Sequence, residues 1–138
     1  LLSKFSYTEK SLHQKLKLKG FAEKEIIKTI NILEKLKYIN DNQFAYRFIE
    51  KMADKHFGKK YIILKLKEKG IEEEIAEEIF NLVLKEKGLT EEEIAFKVVK
   101  KRKNDKPEKL VRLLQNRGFD QEIIERILNE FLHINSVT

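Results

Sequence analysis

Apolar residues recur along the chain at the three- and four-residue intervals of helices that bury one face. Leu12 and Leu16 stand eight and four residues before Gly20; Ile62 and Leu66 stand at the same distances before Gly70, and Leu110 and Leu114 before Gly118. One apolar residue follows each glycine (Phe21, Ile71 or Phe119), and an acid-containing polar stretch comes next. This is the pattern of a helix, a glycine stop and the start of a second helix. The three glycines lie 50 and 48 residues apart, a spacing typical of helical repeat arrays.

Eight helices are predicted. Thr8 caps a first helix reaching about Lys19, and residues 22–37, with Ile26, Ile27, Ile30, Leu33 and Leu36, form the second. Asn40-Asp41 breaks the chain and caps a third, lined by Phe44, Ala45, Phe48, Ile49 and Met52. Gly58 opens the next unit, with helices over about 59–69, 72–87 and 91–103, the last started by a capping box from Thr90 to Glu93. Pro107 suits the first turn of a helix over about 106–117, and Asp120 caps the last, about 121–132. All five glycines and the single proline fall at predicted helix boundaries, and no stretch alternates with the period of a strand. The expected fold is all-α, an elongated array of tandem three-helix repeats over 1–57 and 58–104, with a third over 105–138 that lacks its last helix.

The same register marks two oddities. Leu64 and Leu18 occupy positions that the other repeats leave polar. They are expected to touch a neighbouring repeat or, failing that, to offer a small apolar contact to a partner protein.

Composition sharpens the picture. Of 138 residues, 41% are hydrophobic and 38% charged, a balance that suits thin helical layers better than a thick globule. Cysteine is absent, which excludes a disulfide framework and a thiolate metal site. No apolar run approaches the roughly 20 residues of a membrane span, so a cytoplasmic chain without membrane contact is expected. The chain opens at Leu1 rather than Met, which leaves room for a further N-terminal segment. The net charge of +6 is distributed in blocks: seven basic residues against two acids over 51–69, two against nine over 70–96, and nine against two over 97–117. Two readings fit. Basic helix ends can lie beside acidic helix starts, each favoured by the helix dipole, or a recurring basic stripe can face a polyanion.

Catalytic chemistry is not in view. His13, His56 and His133 fall in different predicted segments without ligand spacing, and Glu72–Glu74 and Glu91–Glu93 occupy first helical turns. No phosphate-binding or nucleophile motif occurs. The chain is expected not to be an enzyme and to need no cofactor or metal. A helix, a glycine turn and a second helix also resemble a DNA-reading helix-turn-helix, but the would-be recognition helices begin acidic, which phosphate would repel. Basic residues sit instead before the turn and in Lys100-Lys101-Arg102-Lys103, which suits sequence-independent phosphate contact. No aromatic residues interleave with those lysines as a stacking platform would need.

The segment Tyr38-Ile39-Asn40-Asp41-Asn42-Gln43-Phe44-Ala45 resembles the signature of the RecX family, bacterial regulators of the RecA recombinase. Leu2-Ser3 with Ser11-Leu12 and Leu16-x3-Gly20-Phe21 is similar to that family's first repeat. Phe57-Gly58-Lys59-Lys60-x-Ile62-x3-Leu66-x2-Lys69-Gly70-Ile71 is similar to its second, and Leu114-x2-Arg117-Gly118-Phe119-x3-Ile123 to its third. The ordered set covers nearly the whole chain. Ala22 departs from it, standing where the family has a small polar cap. Within the signature, Asp41 is expected to cap a helix, and Tyr38, Phe44 and Ala45 to pack where a repeat closes on itself.

The resemblance implies a protein, expected as a monomer, that binds RecA filaments on DNA and moderates recombination and the SOS response. Such proteins lodge in the filament groove, touch more than one RecA subunit, and damp ATP hydrolysis and strand exchange. The residues expected to face the filament are Lys59, Lys60, Lys65, Lys67, Lys69, Lys100, Lys101, Arg102, Lys103, Arg112 and Arg117. Two alternatives remain: a module that binds single- or double-stranded DNA by itself, and a helical scaffold for another protein.

Overall fold

The computed structural model of the protein describes residues 5–137, so Leu2 and Ser3 lie outside the described residues. Eight helices follow one another: α1 Glu9–Leu18, α2 Glu23–Lys35, α3 Asp41–Asp54, α4 Lys59–Glu68, α5 Glu73–Lys87, α6 Glu91–Lys100, α7 Pro107–Asn116 and α8 Gln121–Val137. No strand occurs among the described residues. Two boundaries differ from expectation. α6 stops at Lys100, and residues 101–104 fold into turns in which the Arg102 N–H donates to Val99 O (2.9 Å) and the Asp105 N–H to Arg102 O (2.9 Å). α8 runs past residue 132 to Val137.

Local chemistry starts the helices. Side-chain oxygens of Thr8, Asn40, Thr90 and Asp120 accept from the backbone N–H of Ser11, Gln43, Glu93 and Ile123, each at 3.0–3.1 Å. Asp41 is therefore not the cap of its own helix; Asn40 is. Asp41 reaches instead to the neighbouring helix, where its Oδ1 accepts from the Glu9 N–H at the start of α1 (3.0 Å). Ala22 offers no side-chain cap, and the Ala22 N–H donates to Glu25 Oε1 (3.1 Å).

Helix ends are equally regular. Gly118 has φ +90°, and the Phe119 N–H donates back to Leu114 O (3.1 Å), the Schellman closure. The turns at Gly20 and Gly70 repeat it. Lys37 and His56 take the same left-handed position without being glycine, at roughly 1–2 kcal/mol of backbone strain each.

The core divides in two. Leu12, Ile26, Ile30 and Ile39, with Tyr7, Leu16 and Leu33, form a small cluster between α1 and α2. A larger cluster runs from Phe44 to Phe131 and includes Ile62, Leu66, Phe80, Val83, Leu110, Leu114 and Phe119. α3 packs mainly on α5 and also on α4, so its apolar face belongs to the larger core; α6 packs on α8 and α7. Ala45 and Ala95 are both fully buried, at corresponding places in α3 and α6.

Two joints connect these helices end to end. The first turn of α4 rests on the turn after α7: the Gly58 N–H donates to Arg117 O (2.7 Å) and the Lys60 N–H to Gly118 O (3.0 Å). The N–H between them, at Lys59, goes to Glu91 Oε2 (2.9 Å). In the same way the first turn of α1 rests on the turn after α4, where the buried Thr8 hydroxyl donates to Lys69 O (2.6 Å) and Lys10 lies against Gly70. Asp41 and Glu91, each the first residue of its helix, thus serve the N–H of the first residue of α1 and of α4. No such acid serves the start of α7 among the described residues. Its first residue is Pro107, which has no N–H to satisfy.

Gly20→Ala and Gly118→Ala would place the same methyl in the same left-handed backbone and carry the same strain. At 118 the methyl would also press into the Tyr61 backbone and Cβ, whereas at 20 it meets nothing within 4 Å among the described residues. Denaturant unfolding should show Gly118→Ala less stable than Gly20→Ala by roughly 1–3 kcal/mol. Equal losses would show that the α4–α7 joint is not closed in solution.

Candidate nucleic-acid interface

The eleven basic residues do not form one face; the fold sorts most of them into separate grooves. One is a groove of about 430 Å³ where three helix ends meet, lined by Asp54, Lys55, His56, Phe57, Val98, Lys101, Arg102, Leu113 and Arg117. Lys55, Lys101 and Arg117 are the C-terminal caps of α3, α6 and α7 respectively. The negative end of each helix dipole, roughly half a charge, explains why cations are stable there. Four cations still outweigh those ends and the one lining carboxylate, Asp54. Arg117 is fixed: its Nη1 donates to Lys55 O (2.6 Å) and its guanidinium lies over the Phe57 ring (5.0 Å). Arg102 is held loosely, 3.8 Å from Asp105 Oδ2. Lys101 has no ion pair among the described residues and points its charge at solvent.

His56 lies in the same groove. Partial burial, then Lys101, Lys97 and Arg117, hold its imidazole below the usual range, against a smaller opposing pull from Asp54. Neither Lys55 nor His56 was among the residues expected from sequence. Both lie at the end of α3, and nothing in their local pattern announces that α6 and α7 end beside them.

The α4 lysines are placed differently. Lys59, Lys60 and Lys67 line a groove of about 480 Å³ together with Ile63, Leu64, Glu73, Glu77 and Asp120. Lys59 pairs with Glu77 (3.5 Å), Lys67 with Glu73 (3.2 Å) and Lys65 with Glu68 (3.5 Å). Half-exposed pairs of this kind stabilise by no more than about 1 kcal/mol each, but they cancel much of the local field. Here the basic helix meets the acidic start of the next helix, and mutual solvation describes it.

Lys69 belongs to a third groove, lined by Phe5, Ser6, Phe44, Arg47, Phe48 and Lys51 without any acid. Its ammonium lies 5.7 Å and 5.9 Å from the Phe44 and Phe48 ring centres, and Arg47 covers Phe5 at 4.8 Å. Aromatic rings and cations do interleave here, across elements far apart in sequence. Lys100 lies over Phe96 in a mixed-charge groove with Glu92, Glu93 and Glu130. Lys103 and Arg112 are exposed.

Leu18 is 89% exposed and Leu64 54% exposed, so no neighbouring helix buries either one. Of the signature residues, Phe44 and Ala45 are core, Asp41 ties α3 to α1, and Tyr38 lies at the surface, where its carbonyl accepts from the Phe5 N–H (2.9 Å). Among the described residues no cluster of histidines and carboxylates could hold a metal ion, and no helix is long and apolar enough to cross a membrane.

Comparison with known proteins places this arrangement. Residues 40–79, which hold α3, α4 and the first part of α5, match the family model described as RecX, second three-helix domain. "Regulatory protein RecX" of Caldanaerobacter subterraneus is 35% identical over 131 residues, 94% of this chain and 66% of that protein. The protein of the same name from Thermotoga petrophila is 41% identical over 127 residues (88% and 74%), and that from Vibrio cholerae 36% identical over 131 (93% and 86%). The crystal structure of RecX from Lactobacillus salivarius superposes with a TM-score of 0.71 at 28% identity, covering 91% of this chain and 85% of that one.

The groove makes a spectroscopic prediction. His56 should titrate below the ordinary value of 6.5 in an NMR pH series, and Lys101→Ala should move it upward. Because the unfolded chain takes the proton first, this group's contribution to stability should be lost as pH falls below that value and be present above it. A His56 titrating at or above 6.5 would mean that the cations do not converge on it.

Proposed function

The chain belongs to the RecX family, and on that premise we propose that it regulates RecA by binding RecA–DNA filaments and damping their ATP hydrolysis and strand exchange, without catalysing a reaction itself. It acts in the cytoplasm. The observation that carries the proposal is the groove at the ends of α3, α6 and α7, where Lys55, Lys101, Arg102 and Arg117 face one carboxylate.

The physical logic is that of phosphate contact. Lysine and arginine that neutralise phosphates release condensed counterions, which gives affinity without reading bases. Lys101 and Arg102 make the central contacts, with Lys100, Lys103 and Arg112 around them, while Arg117, locked to Lys55 O, holds the groove in shape. Lys59, Lys60, Lys65, Lys67 and Lys69 form a second stretch, in which three lysines must first exchange an acidic partner for a phosphate. That exchange makes their net contribution smaller. Binding along the filament in this way damps ATP hydrolysis and strand exchange by hindering filament extension or favouring disassembly.

A second reading is favoured by the acid-free groove around Phe5, Arg47, Phe48, Lys51 and Lys69, whose rings and cations suit single-stranded nucleic acid on its own. The exposed Leu18 and Leu64 suit contact with a protein partner, RecA included.

The test is RecA ATP hydrolysis on single-stranded DNA with this protein added well below the RecA concentration. Inhibition at such ratios is expected, because competition for DNA alone would need far more protein. The double variant Lys101→Glu/Arg102→Glu should weaken filament binding at least ~10-fold and reduce the slope of log affinity against log salt by about 2. Lys59→Glu/Lys67→Glu should do less. Full inhibition by the first variant would remove the groove from the mechanism; no inhibition by the native chain, with naked DNA still bound, would favour the second reading.

A further inference from the structure

One side chain in the cationic groove has no part yet in phosphate contact. His56 follows Lys55, the C-terminal cap of α3, and lines the groove beside Lys101, Arg102 and Arg117. Its backbone is left-handed, with φ +66°. The turns after α1, α4 and α7 put a glycine at that place, where no Cβ crowds the chain. Lys37 shares the strained conformation, but it is exposed and lines no cationic groove. Backbone strain that a fold tolerates collects at binding sites, and His56 joins such strain to a groove of converging charge.

The base of the imidazole is held on both sides. The His56 N–H donates to Ala53 O (2.9 Å), the Phe57 N–H to Met52 O (3.0 Å), and Lys55 O accepts from Arg117 Nη1 (2.6 Å). The ring is half-buried and makes no hydrogen bond among the described residues, so its N–H is available to an acceptor. Charges face it from every element around it. Asp54 and Lys55 come from the end of α3, Lys97 and Lys101 from α6 and its cap, Arg102 from the turn beyond, and Arg117 from the cap of α7. Five of these six are cations. They and partial burial disfavour a further positive charge, so the ring is neutral at pH 7 before a ligand enters. A phosphate diester would reverse that balance. It brings a negative charge among the cations and an oxygen that accepts from the ring, and both favour imidazolium.

We infer that His56 is a further phosphate contact, and that binding to a RecA–DNA filament takes up one proton from solution at its imidazole. The inference rests on the proposed contact between this groove and filament phosphates. Its sign is fixed by linkage. The bound chain holds the proton to a higher pH than the free chain, so affinity climbs as pH falls through the interval between the two titrations. Outside that interval both states carry the same charge, and this group adds no pH dependence.

The test compares the native chain with His56→Asn, since asparagine accepts the left-handed backbone and carries no charge at any pH. Affinity for RecA filaments on single-stranded DNA is measured for both at each pH. Taking their ratio removes whatever pH does to RecA itself. From about pH 7.5 to about pH 5.5 the native-to-variant affinity ratio should rise roughly 3–10-fold. A loss that came only from altered folding would leave the ratio constant. A constant ratio, or one that falls with pH, would overturn the inference; if Lys101→Glu/Arg102→Glu still weakened binding, the groove would keep its proposed role. Undiminished binding by that double variant would overturn both.

Discussion

The structure depends on one kind of contact: the first turn of a helix seated on the glycine turn that ends a later helix. Each partner brings what the other lacks. A helix start has N–H groups without acceptors, and a helix end has carbonyls without donors. At the α4–α7 joint the Gly58 and Lys60 N–H groups meet the Arg117 and Gly118 carbonyls directly, and at the α1–α4 joint the Thr8 hydroxyl meets Lys69 O. The approach is close enough that any side chain at Gly118 would collide with Tyr61. The left-handed φ of these glycines is therefore only part of the reason for them; the space above them is the rest.

The joint fixes the position of the functional groove. Seating α4 on the α7 turn holds the segment that links α3 to α4 beside Arg117, and α6 ends at the same place because it packs on α7 and α8. Three helix C-termini then share one region, and their dipoles favour cationic caps there. The cations that supply a phosphate-binding surface are thus the same residues that finish the helices. Charge placement needs no separate explanation.

Most of the helical architecture was legible in the sequence, since the devices that start and stop helices are local. Thr8, Thr90 and Asp120 cap where the pattern places them, and every glycine falls outside a helix. What could not be read were relations between distant segments. Asp41 looked like a cap for its own helix and proved to cap α1; Leu18 and Leu64 were expected under a neighbour and are exposed. The basic residues appeared as one stripe, but three α4 lysines face acids of their own or the next helix, while Lys55 and His56 join Lys101 through packing that no local periodicity encodes. The aromatic rings near Lys69 were missed for the same reason, as Phe5, Phe44 and Phe48 reach it from other elements.

The most direct measurement of the central claim is hydrogen–deuterium exchange of the chain, free and bound to a RecA filament on single-stranded DNA. If the groove faces the filament, protection should concentrate in residues 54–57, 98–105 and 113–117, with less change in α4. Protection confined to α1 and α2, or to α4 and α5, with the three helix ends unchanged, would contradict it.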